Sequence, residues 1–229
     1  MSGSVVSPET RARVRGLAVP IALFFGRLGL TPNALTLIGF GIAILAALAA
    51  AVQSWILAGI LVVVGGVFDL FDGALARATG KASRLGAFMD SVFDRWGEGI
   101  IYVGIAVGCV AANFDPGVFL TTTAVVSAFM VSYARAKSEG LGFTPGTGMA
   151  NVGLAPREIR IVILTVGLIV AGLMGGTSVA DAGGQDPTWL LGRPALGLCL
   201  GLITVLATIT VLQRILHVVR QPLPEEHQQ

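Results

Sequence analysis

The sequence predicts an all-α, polytopic membrane protein with six transmembrane helices and an N-terminal helix lying along the membrane surface. Three observations carry this expectation. Hydrophobic residues make up 54% of the chain and charged residues 12%, against roughly 25% charged in soluble domains. The mean hydropathy is +0.82, so the bilayer is the expected solvent. When the apolar runs are threaded alternately through a membrane, all but one of the 15 basic residues fall on the same side.

The segment Ser7–Leu28 begins Ser7-Pro8, carries Arg11, Arg13 and Arg15, and then turns apolar. It reads as an interfacial amphipathic helix, although its helical periodicity is weak and Pro20 interrupts it. No small-x-small pattern follows the stretch Leu17–Gly26, so it is read as retained rather than cleaved. The first span is Asn33–Val52, introduced by Thr31-Pro32. The second, Trp55–Ala76, and the third, Leu85–Ala111, are joined by a short turn around Gly80 and must be antiparallel neighbours. The fourth, Val118–Ala136, follows Asp115-Pro116, and the sixth, Trp189–Leu212, follows Asp186-Pro187. Each of these pairs puts a capping side chain before a proline at the first helical position. The fifth, Glu158–Met174, follows the glycine-rich loop Gly140–Pro156, suited either to closing over a ligand or to serving as a flexible linker. The chain thus divides into an N-terminal segment at 1–32, a six-helix domain at 33–214 and a tail at 215–229.

Only Arg193 lies on the sparsely charged side. The positive-inside rule makes the other side cytoplasmic and places both termini there. A net charge of +2 does not suggest nucleic acid. Cys109 and Cys199 sit in apolar runs without metal or redox spacing and read as small buried hydrophobes.

Against this apolar background, Asp69, Asp72, Asp90 and Asp94 stand close together. Residues at i, i+3, i+4 and i+7 share a helix face. Asp69, Asp72, Gly73 and Ala76 therefore form one stripe, and Gly86, Asp90, Asp94 and Gly97 a second. The turn at Gly80 brings the two stripes to the same membrane depth. A single Asp near the bilayer centre costs about 2.5–3.5 kcal/mol, and four also repel one another. Arg77 alone does not balance them. An all-oxygen site suits Mg²⁺ or Mn²⁺, and two ions about 3.5–4 Å apart are a recurring device in phosphoryl chemistry. Gly73, Ala76 and Gly86 suit either helix packing through small residues or the close approach of a ligand to the backbone. A divalent-cation transporter is the alternative of another class. Its carboxylates would be expected midway through several spans, whereas these crowd the ends of two adjacent ones.

The string Asp69-x-x-Asp72-Gly73-x-x-Ala76-Arg77, eight residues, then Gly86-x-x-x-Asp90-x-x-x-Asp94, resembles the complete signature of the CDP-alcohol phosphotransferases. The Leu30-Thr31-Pro32-Asn33 entry to the first span is similar to that family too. The resemblance implies two metal ions held by Asp69, Asp72, Asp90 and Asp94, with Asp94 also the catalytic base. It places Gly73, Ala76, Arg77 and Gly86 beside the CDP moiety of a lipid donor, CDP-diacylglycerol or a related CDP-lipid. It further implies a homodimer, and transfer of a phosphatidyl group to an alcohol with release of CMP.

A basic cluster bears on the acceptor. Arg135 ends the fourth span, Arg157 and Arg160 open the fifth on one face, and Arg214 ends the sixth. Arginine forks bind phosphate bidentately, so a phosphorylated alcohol is expected. The cluster resembles the prokaryotic phosphatidylinositol phosphate synthase branch, which implies inositol 1-phosphate. It departs from that branch in having arginine at 135, where lysine is frequent, and in Pro156 preceding Arg157 rather than following it. These departures keep glycerol 3-phosphate as the alternative acceptor.

Overall fold

The computed structural model describes residues 8–143, 152–177 and 191–221, with side chains from residue 18 onward. The described residues form seven α-helices in succession and contain no strand. They are α1 (Pro8–Arg27), α2 (Pro32–Ala51), α3 (Trp55–Ala78), α4 (Arg84–Ala111), α5 (Asp115–Gly140), α6 (Arg157–Leu173) and α7 (Gly192–Val219). Helices α2, α3, α5 and α7 are long and apolar enough to cross a membrane. Among the other three, α6 has 17 residues, and α4 carries Asp90, Asp94, Arg95 and Glu98 toward its N-terminal end. Both are nevertheless held among the others, α4 against α2 and α5, α6 against α3 and α7. The outward side chains are apolar, with Phe119 68% and Leu198 75% exposed. Acyl chains tolerate such a surface and water does not. The protein is a multi-pass membrane protein.

Between acyl chains, helices associate through close approach of small residues rather than through an apolar contrast. Gly104 and Gly108 of α4 lie directly against Ala47 and Ala50 of α2, where a Cβ would overlap the α2 backbone. A Cβ at Gly97 would come 3.2 Å from that of Ala43. Gly39 of α2 faces Gly65 of α3, Gly59 and Gly172 seat α3 against α6, and Gly167 of α6 receives Cys199 of α7. Both cysteines are free and buried, as expected.

The helix ends show which sequence signals act. Thr31 caps α2, its Oγ1 accepting from Ala34 N at 3.2 Å. Gly80 sits at φ +66 in the turn between α3 and α4, a conformation that glycine adopts without Cβ strain. Ser83 caps α4 by accepting from Gly86 N at 3.0 Å, a cap the sequence reading did not anticipate. Asp115 was expected to cap α5. Instead the cap is Phe114, and Asp115 lies in the first turn, where its charge complements the helix dipole. Trp189 and the Asp186-Pro187 pair lie outside the described residues, as do residues 144–151 of the loop Gly140–Pro156.

Helix α1 runs unbroken through Pro20. Its Ala18 and Ala22 are buried with Phe71 and Leu75 of α3, while Phe24 is 58% exposed. Alternation of direction collects the starts of α2, α4 and α6 and the ends of α3, α5 and α7 at one end of the bundle. At the opposite end, Trp55 donates to Thr177 at 3.1 Å. There Arg193 donates to the carbonyls of Thr177 and Ala112 and covers the Phe114 ring.

Candidate active site

The last turns of α3 and the first turns of α4 carry the four aspartates. Because i, i+3 and i, i+4 positions share a face, both acidic stripes turn toward α2 and α6. Asp72 is 5% exposed and accepts from Thr36 Oγ1 of α2 at 2.6 Å. Asp69 accepts from Arg157 Nη2 of α6 at 2.8 Å, with Gly39 behind it, where a Cβ would stand 3.0 Å from Asp69 Oδ1. Asp94 meets Arg157 Nη1 at 2.8 Å and Arg95 Nη1 at 3.0 Å. Asp90 makes no hydrogen bond or ion pair among the described residues, yet it lies within electrostatic reach of Asp69, Arg157 and Arg95. A cavity of about 40 Å³ lies here, lined by Asp69, Asp94, Glu98 and Arg157 with apolar groups of α2, α3, α4 and α6.

Around the acids, Arg77 is exposed and folds over Gly73, where a Cβ would come 3.2 Å from its Nη1. Ala76 is half-buried on the same stripe, and Gly86 spends its N–H on the Ser83 cap.

The four arginines of the basic cluster lie at this end but differ in what they offer. Arg157 enters the acidic face. Arg135 is 43% exposed and pairs with Glu139 on its own helix at 2.9 Å. Arg160 is 1% exposed, makes a bidentate pair with Glu98 at 2.9 Å on both arms, and donates to Ala155 O at 3.0 Å. Arg214 is 3% exposed and donates to Val152 O at 3.0 Å and to Val131 O. The sequence predicts four guanidiniums open to a phosphate. Burial turns two of them inward, because a desolvated guanidinium needs acceptors of its own.

Three contributors were missed from the sequence. Glu98 continues the i, i+4 series of Asp90 and Asp94 and was readable from that spacing. Arg95 was counted only as a topological charge. Thr36 gave no signal, since a threonine early in a helix ordinarily back-bonds to its own turn.

As placed, no three His, Cys, Asp or Glu side chains among the described residues form a metal cage. Asp69 and Asp94 turn to Arg157 instead, and Asp72 to Thr36. The donor set still fits a hard divalent cation. It is all oxygen, two of its carboxylates already share one cationic group, and Asp72 and Asp90 have no ion pair among the described residues.

Known proteins share this fold. The crystal structure of Mycobacterium tuberculosis phosphatidylinositol phosphate synthase with CDP-DAG bound matches with a TM-score of 0.73 at 28% identity, covering 90% of this chain and 94% of that one. The same enzyme in complex with manganese and citrate matches with a TM-score of 0.72, also at 28% identity, covering 90% of each chain. The archaetidylinositol phosphate synthase of Pyrococcus horikoshii is 40% identical over 158 residues, 69% of this chain and 79% of that protein. The phosphatidylinositol phosphate synthase of Cutibacterium acnes is 34% identical over 207 residues, 88% of this chain and 91% of that protein. Residues 29–221 match the family model for CDP-alcohol phosphatidyltransferase, and the chain belongs to the CDP-alcohol phosphatidyltransferase family.

Proposed function

We propose that this enzyme transfers a phosphatidyl group from CDP-diacylglycerol to inositol 1-phosphate and releases CMP. The observation that carries the reading is Arg157 bridging Asp69 and Asp94 at 2.8 Å each. It joins an acidic face suited to a pyrophosphate and its cations to the arginine cluster suited to a phosphorylated acceptor. The relatives named above as phosphatidylinositol phosphate synthases support the donor and the acceptor.

In this reading Asp94 is the base. Asp94 contacts two guanidiniums, those of Arg95 and Arg157. It takes the proton of an acceptor hydroxyl as that oxygen forms a bond to the lipid-side phosphorus. The bond from that phosphorus to the bridging oxygen of the pyrophosphate breaks, and the electron pair leaves with CMP. Asp69, Asp72, Asp90 and Asp94 would hold Mg²⁺ or Mn²⁺, which supplies positive charge against the pyrophosphate and the departing CMP. Gly73, Ala76 and Gly86 leave room for the CDP moiety, and Arg77 borders it. Arg157 and the accessible Arg135 contact the acceptor phosphate, with Arg160 and Arg214 behind them.

The cytoplasmic side is assigned to the aspartate end and to both termini, from the bias of basic residues. Six spans, an interfacial α1, the division at 1–32, 33–214 and 215–229, and a homodimer complete the proposal. The test is transfer from labelled CDP-diacylglycerol across an acceptor panel. Inositol 1-phosphate should be preferred and free inositol very poor. Efficient transfer to glycerol 3-phosphate with none to inositol 1-phosphate would reassign the acceptor.

A further inference from the structure

Helices α4 and α6 are not among the pairs that pack closely along their backbones; α6 rests on α3 and α7, and α4 on α2 and α5. Two ion pairs nevertheless join them. Asp94 and Glu98 are one turn apart on α4, and Arg157 and Arg160 one turn apart on α6. They meet as two rungs, Arg157 with Asp94 at 2.8 Å and Arg160 with Glu98 at 2.9 Å. The rungs are not equivalent. The outer one is partly accessible, with Arg157 at 23% and Asp94 at 11% side-chain exposure. The inner one is closed at 1% and 7%, and both arms of the Arg160 fork are engaged. The remaining arm of Arg160 holds Ala155 O just before α6, so this one side chain also fixes how the chain enters that helix. Glu98 lines the same cavity as Asp69, Asp94 and Arg157.

We infer that Glu98 is a positioning residue: by clamping Arg160 it sets the rotation and depth of α6, which delivers Arg157 to the acidic face. Backbone packing between α4 and α6 is too slight to do this, and a fork held on both arms admits one orientation where a single contact admits several. The clamp also consumes Arg160, so the acceptor phosphate meets Arg157 and not its neighbour one turn on. This inference rests on the function proposed above and adds to it a residue that touches no substrate.

The experiment uses the full chain in nanodiscs, with CDP-diacylglycerol and inositol 1-phosphate, and compares wild type, Glu98→Gln and the double variant Glu98→Gln/Arg160→Met. Glu98→Gln should raise the acceptor KM about tenfold, the factor that ~1.4 kcal/mol produces, with the donor KM unchanged. The double variant removes the lone buried charge as well. It should regain thermal stability without regaining the acceptor KM. Spin labels at Ala87→Cys and Glu158→Cys, both exposed positions on α4 and α6, give a second readout. Their distance distribution should be narrow in wild type and broad in both variants. Acceptor KM recovering together with stability in the double variant, or label distances unchanged by Glu98→Gln, would overturn the inference. If wild type transfers to no acceptor, the proposed function fails, and the label distances alone still decide the role of Glu98.

Discussion

Thr36 Oγ1 donates a 2.6 Å hydrogen bond to Asp72 Oδ2, tying the start of α2 to the end of α3 at a carboxylate only 5% exposed. Valine has nearly the shape of threonine and lacks the donor. Thr36→Val should therefore destabilise the protein by about 1.5–3 kcal/mol, the range for a hydrogen bond to a charged group, while Thr36→Ser should stay close to wild type. Thermal unfolding in detergent measures both. Equal midpoints for valine and serine would show that the hydroxyl contributes nothing.

Asp90 behaves differently, because it has no hydrogen-bonding partner to lose among the described residues and feels the charge of Asp69. Asp90→Asn should lower turnover by orders of magnitude without lowering the thermal midpoint, since it relieves repulsion between carboxylates. Asp69→Asn should lower both, as it also releases one arm of Arg157. Steady-state kinetics and a melting curve on each variant check the contrast.

Chelation should abolish transfer, and added Mg²⁺ or Mn²⁺ should restore it, because four clustered carboxylates exceed the basic side chains paired with them. Full turnover in EDTA would show that the reaction needs no divalent cation.

Arg157→Gln should raise the acceptor KM about tenfold or more, given ~1.4 kcal/mol per factor of ten, and leave the donor KM nearly fixed. Arg135→Gln should act in the same direction but more weakly, since its guanidinium is solvated and held by Glu139. If neither substitution shifts any acceptor KM, the cluster serves membrane topology alone.

Gly104→Ala tests the packing that holds the acidic stripes in register. Its Cβ would meet the α2 backbone at Ala47, and overpacking of this kind costs about 1–3 kcal/mol. A lower melting midpoint is expected; an unchanged one would mean that α2 and α4 separate freely.

The helices were legible because an apolar run needs no partner to declare itself. The starts of α2, α3, α4 and α6 fall within one residue of the expected spans. Ends were less legible: α5 continues through Lys137 to Gly140, and α7 through Arg214 to Val219, because charge leaving the membrane does not unwind a helix. The aspartate stripes were readable from period alone. The fates of Arg160 and Arg214 were not, since one sequence pattern describes an arginine facing a ligand and an arginine facing Glu98 or a buried carbonyl. What decides between them is the partner the fold brings near, Glu98 for Arg160 and the carbonyls of Val131 and Val152 for Arg214.

In the proposed reaction, phosphatidyl transfer by these aspartates requires Asp94 as the base. The most direct measurement is release of labelled CMP from CDP-diacylglycerol in the presence of inositol 1-phosphate, run beside donor binding, for wild type and Asp94→Asn. Wild type should give stoichiometric CMP and lipid-phosphate product, and Asp94→Asn should bind the donor without transfer. Undiminished transfer by Asp94→Asn, or no CMP release from wild type with any alcohol acceptor, would contradict it.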